Sequence, residues 1–415
     1  AASHQQTPAA DIGLRDASEH GGLCGCRIIL GQTGKPVPIA FWQRVPRKRT
    51  NRASNPMNQP DRRPAATSRV SRRKFVATTV AGSLSASLGV ASVHATDKSG
   101  LHKPILGASA HRYEAHHGWG QLPAQLRWGD THGVCFDEHG LVYITHQSAE
   151  PDPLDAIVVF DPEGKYVRSF GKEFHGGGHG LAIRKEGSEE FLYLCDLKNR
   201  RVAKLSVRGD VVWSLGYPRE AGVYEQPDQY CPTNVAFAPD GGFYVGDGYG
   251  SHYIHQYDKD AKWVRTWGGA GSEPGKVRCP HGLWFDDRPG RTPALVVADR
   301  GNSRLQYFTA DGKHLGFTPG LPHPCYFSIR EETLLVPDLH ARVTLLDRDN
   351  KPIVHLGYDE AWTQRVLQDG LRNKPDQWQP GRFVHPHQAA FDKDGNIFVV
   401  EWVPIGRVTK LRRVP

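Results

Sequence analysis

From residue 112 onward, short apolar runs alternate with polar turns, and the alternation is itself periodic. A first run opens on His-Gly or Pro-His and is followed by Asp-x-x-Gly or a similar turn. A second run ends in an acidic residue, a third is followed by a polar turn, and a fourth closes on Gly. The first unit reads His132-Gly133-Val134-Cys135-Phe136-Asp137, Val142-Tyr143-Ile144, Ile157-Val158-Val159-Phe160 and Ser169-Phe170-Gly171. The second reads His179-Gly180-Leu181, Leu192-Tyr193-Leu194-Cys195-Asp196, Val202-Ala203-Lys204-Leu205 and Ser214-Leu215-Gly216. Four more start at Pro232-Thr233-Asn234-Val235, Pro280-His281-Gly282-Leu283, Pro322-His323-Pro324 and Pro386-His387-Gln388. Runs rich in β-branched and aromatic residues, too short for helices and bounded by Asp, Asn and Gly, predict strands. Four strands in a unit of about 50 residues predict a propeller blade. Six units predict an all-β, six-bladed β-propeller over residues 112–415.

Two irregularities sharpen that expectation. The sixth unit stops after Val408-Thr409-Lys410-Leu411, one strand short. The segment Tyr113–Gly120 ends His117-Gly118-Trp119-Gly120, like the closing Thr266-Trp267-Gly268 of the third unit. It is expected to supply the missing strand, closing the ring and leaving no open edge. Between units five and six, Trp362, Val366, Leu367 and Leu371 are spaced as on one face of a helix, which predicts a helical insertion over Asp359–Arg372.

Composition changes the picture mainly at the N-terminus. The net charge of +8 in 415 residues invites a nucleic-acid reading. However, residues 1–95 carry 14 Lys and Arg against 4 acidic residues, and residues 96–415 carry 38 against 40. The repeats therefore present no basic footprint, and nucleic acid is excluded as a partner. A mean hydropathy of −0.52 and the lack of a long apolar run leave no transmembrane domain. Residues 1–56, basic and without periodicity, precede the only Met, Met57, and are expected to be a non-native upstream extension. Residues 57–95 then contain Ser71-Arg72-Arg73-Lys74-Phe75-Val76, a weakly apolar stretch and Val93-His94-Ala95. This order reads as a twin-arginine signal cleaved after Ala95, placing the mature protein in the periplasm or outside the cell. Residues 96–111 are expected to be a linker. The five cysteines beyond the signal are odd in number, lack Cys-x-x-Cys spacing and mostly fall in strands, so no disulfide framework is read.

The chemistry lies in the histidines. Alignment of the unit starts puts His132, His179, Thr233, His281, His323 and His387 at one repeat position. In a propeller the first strand of each blade is innermost, so residues there converge on the central axis. Three neutral imidazoles with a fourth position open form a catalytic zinc site. Units two, four and six would deliver His179, His281 and His387 from directions a third of a turn apart, although position alone does not select the three. The competing reading is an ordinary repeat residue that caps strand starts.

The motifs Gly246-Asp247-Gly248-Tyr249, Cys279-Pro280-His281-Gly282-Leu283 and Ala298-Asp299-Arg300-Gly301-Asn302-Ser303-Arg304-Leu305-Gln306, set in NHL-type repeats, resemble peptidyl-α-hydroxyglycine α-amidating lyase (peptidylamidoglycolate lyase). The resemblance covers residues 112–412. It implies zinc on His179, His281 and His387, catalytic roles for Tyr249 and Arg300, and cleavage of an α-hydroxyglycine N–C bond to an amide and glyoxylate. It also implies a small-molecule or peptide C-terminal substrate made by a separate monooxygenase. A monomer is expected. Asp196 and Asp299 read as turn caps. Three departures stand out. Thr145-His146-Gln147 lacks the family's first-blade Arg. Cys231 would face Gly250 where the family has a disulfide. Gln388 replaces an Asp that ligates the family's structural calcium. The alternative function is a non-catalytic propeller that binds a peptide, glycan or protein.

Overall fold

The computed structural model describes residues 103–415. The expected upstream extension, the twin-arginine signal and the start of the linker lie outside the described residues. Six antiparallel sheets follow one another along the chain. Five have four strands in sequential order, and their inner strands are Asp130–Phe136, Gly178–Glu186, Asn234–Phe237, Pro280–Asp286 and Ser328–Arg330. The sixth has Pro386–Phe391 innermost, then Ile397–Glu401 and Arg407–Val414. Its fourth strand is His111–His117, pairing antiparallel with the C-terminal strand from Arg112↔Val414 to His117↔Thr409. The ring is therefore closed by the N-terminal strand. A fifth strand, Ile105–Ala108, pairs outside it, within the segment read from sequence as linker.

Side-chain chemistry explains why the turns recur. In Asp-x-x-Gly, Asp137 Oδ1 accepts from the backbone N–H of His139 (3.0 Å) and Leu141 (2.8 Å), while Gly140 takes φ 84°. Such a turn needs both an acceptor two residues back and a residue at ease in the left-handed region. Asp161 and Asp392 form the same bonds in blades one and six. The carboxylates ending the second strands are paired as well as capping: Asp196 with Arg201 (2.9 Å), Asp299 with Arg304 (2.6 Å) and Glu401 with Arg407.

The core lies between successive blades. Val134, Ile144 and Val158 of blade one pack against Phe398, Val400 and Val408 of blade six, with Trp119 alongside. Leu335 and Leu345 of blade five pack against Ile397, Val399 and Tyr113. Fully burying one such aliphatic side chain contributes about 1.5–3 kcal/mol. The ring thus holds by contacts that each blade makes with both neighbours. The insertion is an α-helix, Glu360–Gln368, N-capped by Asp359 and burying Trp362 and Val366. Among the described residues no helix is long and apolar enough to cross a membrane.

Candidate metal centre

Four histidines meet on the axis, and the backbone explains how. In blades one, two, four and six the inner strand carries one extra residue relative to its partner, between Thr131 and Gly133, Gly178 and Leu181, Pro280 and Leu283, and Pro386 and Gln388. A β-bulge re-aims the side chain it contains. Each of these bulges contains a histidine, namely His132, His179, His281 and His387. The blade-five counterpart is Cys325. His281 Nδ1 bonds to Cys325 O just as His179 Nδ1 bonds to Thr233 O, so Pro324-Cys325 is equivalent to Pro232-Thr233. This corrects the alignment on His323, which instead stacks on His340 with centroids 5.2 Å apart.

The rings of His179, His281 and His387 form a nearly equilateral triangle, with centroids 5.0, 4.7 and 4.7 Å apart. All three are anchored alike. His179 Nδ1 lies 2.8 Å from Thr233 O, His281 Nδ1 2.8 Å from Cys325 O, and His387 Nδ1 2.9 Å from His132 O. A carbonyl only accepts, so each Nδ1 carries the proton and each neutral ring offers the Nε2 lone pair. Burial holds all three rings neutral, His179 down to about 3 and His281 and His387 well below the usual histidine range. Fixing Nδ1 on a carbonyl is also how proteins orient imidazoles toward a metal.

His132 is anchored differently. Its Nδ1 lies 3.4 Å from His387 Nε2, and the ring nitrogens of His132, His179 and His387 come within 4.8 Å of one another. Nε2 of both His132 and His179 is buried with no hydrogen-bond partner. A buried imidazole nitrogen left bare costs free energy that a metal ion would recover. The donor set fits such an ion: neutral nitrogens suit zinc and similar transition metals.

Tyr249 and Arg300 border the same triangle. The Tyr249 hydroxyl is 3.0 Å from His281 Nε2, and its ring centroid is 5.3 Å from that of His179. Its loop is clamped by Asp247, which accepts from the N–H groups of Cys231 and Ser251, both at 2.7 Å. Burial raises Asp247 to about 7, since no arginine stands opposite it as in the neighbouring blades. Burial also holds the Tyr249 phenol well above its ordinary range, and nearby Arg300 only partly opposes this.

Arg300 is 2% exposed, and its Cζ lies 5.2 Å from the Tyr249 ring centre. Its neighbour Asp299 is fully engaged by Arg278 N, Asn302 and Arg304, which leaves the guanidinium no carboxylate. Nη2 instead faces Cys279 Sγ at 3.2 Å and Nη1 faces Cys325 Sγ at 3.9 Å. Sequence reasoning missed this thiol cradle. The signal was present in Pro324-Cys325, at the position where other blades carry Pro-His. Cys279 itself sits at φ 54°, a strained conformation immediately before Pro280-His281.

Two further buried histidines are held by the backbone. His146 is bonded through Nδ1 to Gly129 N and through Nε2 to Asp155 O, and His385 Nδ1 to Leu339 O. All five described cysteines are buried. Further along the inner strands, away from the histidines, a cavity of about 340 Å³ is lined by Phe136, Ile183, Phe237, Phe285 and Phe391.

No protein-family profile matches the chain. Peptidyl-glycine alpha-amidating monooxygenase of Mus musculus is 28% identical over 258 residues, covering 60% of this chain and 25% of that protein. NHL repeat-containing protein 3 of Homo sapiens is 30% identical over 237 residues, covering 54% and 66%. Peptidyl-alpha-hydroxyglycine alpha-amidating lyase 1 of Drosophila melanogaster is 26% identical over 326 residues, covering 68% and 56%. The chain thus spans between a quarter and two thirds of the length of these relatives. It is a six-bladed propeller of NHL type, and it resembles these relatives, one of them named as an α-amidating lyase, at low identity.

Proposed function

We propose that this propeller is an exported, zinc-dependent lyase that splits the N–C bond of an α-hydroxyglycine-type substrate into an amide and glyoxylate. The observation that carries the proposal is the threefold anchoring of His179, His281 and His387. The carbonyl on each Nδ1 leaves Nε2 as the free ligand atom: that of His179 is bare, that of His281 meets the Tyr249 hydroxyl at 3.0 Å, and that of His387 lies 3.4 Å from His132 Nδ1, with Arg300 beside Tyr249. Those three rings would hold the ion. A zinc ion bound there would supply Lewis acidity, making the substrate's hydroxyl easier to deprotonate.

The protein's own groups then have definite tasks. Arg300, a buried cation with no carboxylate of its own, pairs with the substrate carboxylate through its forked donors. That pairing fixes the hydroxyl-bearing carbon beside the histidines. Tyr249, held protonated by burial, relays the proton: its phenol O–H is given to the departing amide nitrogen as its oxygen takes the proton of the substrate hydroxyl. The C–N bond breaks as the C–O bond becomes a carbonyl, so atoms and charge balance without an oxidant. Desolvation by the blade walls strengthens each of these contacts.

Two observations favour His132 as the third ligand in place of His281, the first being that the nitrogens of His132, His179 and His387 group within 4.8 Å of one another, a set that omits His281. The second is that the 3.4 Å between His132 Nδ1 and His387 Nε2 is close to the edge of a tetrahedron with bonds of about 2.0–2.1 Å. His132 lacks the carbonyl anchor shared by the other three, which is why the symmetric set is preferred. A second function, peptide or protein binding without catalysis, is supported by the likeness to an NHL repeat-containing protein. The deciding assay is glyoxylate release from a C-terminal α-hydroxyglycine peptide by zinc-loaded protein. Wild type should release it, whereas His281→Ala and Tyr249→Phe should not. Tight peptide binding without release would establish the binding reading instead. Export is tested by N-terminal sequencing of secreted material, which should start near Thr96, and the expected monomer by light scattering.

A further inference from the structure

We propose that Gln388 is a positioning residue for the histidine centre, and that its amide does the work of the calcium ion implied by the resemblance. This rests on reading the histidines as a metal centre.

Gln388 is 2% exposed, and its Nε2 donates to Val134 O at 2.8 Å and Leu181 O at 3.2 Å. Tyr326 Oη also points at Leu181 O, at 3.5 Å. Carbonyls only accept, so the nitrogen end of the amide must face them. Calcium wants six to eight oxygen ligands, with carboxylates among them. Here an uncharged donor already occupies the lone pairs that two of those ligands would supply, so these residues do not fit the ion.

The three tied strands are those that carry His132, His179 and His387. Gln388 directly follows His387, Val134 lies two residues after His132, and Leu181 two after His179. His132 O in turn accepts from His387 Nδ1. One side chain therefore joins blades six, one and two a single step below the rings.

The surrounding glycines show why blade six alone of the four can supply this side chain. In the other histidine-bearing blades the next residue is Gly133, Gly180 or Gly282. A Cβ there would lie 2.8 Å from His179 O, 2.2 Å from Thr233 O and 2.4 Å from Cys325 O respectively. These strands abut too closely for a side chain, whereas Gln388 turns onto the axis.

The test uses the full chain and reads zinc affinity by chelator competition and melting temperature, each with millimolar calcium or with EGTA. Wild type should melt at the same temperature in both. Gln388→Leu should bind zinc about 10–100-fold more weakly regardless of calcium, the usual effect of losing an orienting partner. Gln388→Glu, isosteric but without donors, should become calcium-dependent in both readouts, and calcium should restore most of its zinc affinity. A wild type that melts several degrees lower in EGTA overturns the proposal, as does Gln388→Leu with wild-type zinc affinity. If Gln388→Leu does not fold, Gln388→Glu decides: indifference to calcium in both readouts refutes the proposal. Neither readout involves substrate, so failure of glyoxylate release would count against the lyase reading alone. A wild type that binds no zinc would overturn the metal centre, and with it the positioning role.

Discussion

Replacing Arg300 by Met should make the protein more stable and abolish its chemistry. The guanidinium is 2% exposed, pairs with no carboxylate, and leaves Nε without a partner. Its terminal nitrogens face thiols at 3.2 and 3.9 Å, which are weak acceptors. An uncompensated buried charge costs several kcal/mol in a real protein. A hydrogen bond to Tyr249 and contact with its ring offset up to about 2 kcal/mol of this. Methionine fills much the same length with apolar, adaptable atoms. The net gain should be about 1–3 kcal/mol. With an unfolding entropy of about 2.1 cal/mol/K per residue over roughly 300 residues, that raises Tm by about 2–5 °C. Scanning calorimetry of the metal-free full chain measures the shift. A second arm adds glyoxylate, which should raise the Tm of wild type by mass action and leave the variant unmoved. Steady-state assays should show kcat/KM at least about 100-fold lower, as expected when one partner of a buried charge pair is removed. If Arg300→Met melts several degrees below wild type, the guanidinium is a structural strut, and the argument that it awaits a substrate anion fails.

Three further outcomes follow from the same geometry. Gly180→Ala should cost about 1–3 kcal/mol and weaken zinc binding about tenfold, because its methyl would sit 2.2 Å from the carbonyl that anchors His179; Gly216→Ala, with nothing within 4 Å, is the silent control, and equal effects in urea melts would refute the steric argument. Metal-free protein should lose stability as pH falls from about 6.5 toward 4, because burial holds His179 and His255 down to about 3 and His146 and His385 to about 4, so only the unfolded chain takes up those protons. Each such histidine contributes up to about 1.4 kcal/mol per pH unit in that window, and a flat urea midpoint between pH 7 and 5 would contradict it. His281→Ala should lower zinc affinity by orders of magnitude while His132→Ala, which keeps the carbonyl holding His387, changes it little; calorimetric titration showing the reverse would make His132 the third ligand.

The architecture was legible because a propeller repeats its errors as well as its rules. Asp-x-x-Gly turns and closing glycines recur, so one correct unit locates the others. The closing role of Tyr113–Gly120 followed from counting strands. The outermost strand Ile105–Ala108 was not legible, since it has no repeat counterpart and pairs only because His111–His117 offers an edge. The site was legible to the level of residue type. Spacing placed histidines on the axis, but the bulges that aim them depend on partner-strand register, which a single strand does not reveal. The slip at blade five came from choosing Pro322-His323 over Pro324-Cys325, where two prolines flank the chain and only the bond from His281 identifies the right one. Burial is also invisible locally, so the desolvation that raises the Tyr249 phenol has no signal in the sequence. Gln388 looked like a lost ligand in sequence; its place on the axis shows a gained hydrogen-bond donor.

The central claim is that three imidazoles hold one zinc ion at the mouth of the axis. X-ray absorption at the zinc edge, on purified full-length protein after removal of loosely bound metal, tests it most directly. The account predicts one zinc per chain with three imidazole nitrogens and one oxygen at about 2.0–2.1 Å, and loss of that signal in His179→Ala. No retained zinc, or sulfur at about 2.3 Å from Cys279 or Cys325, would contradict it.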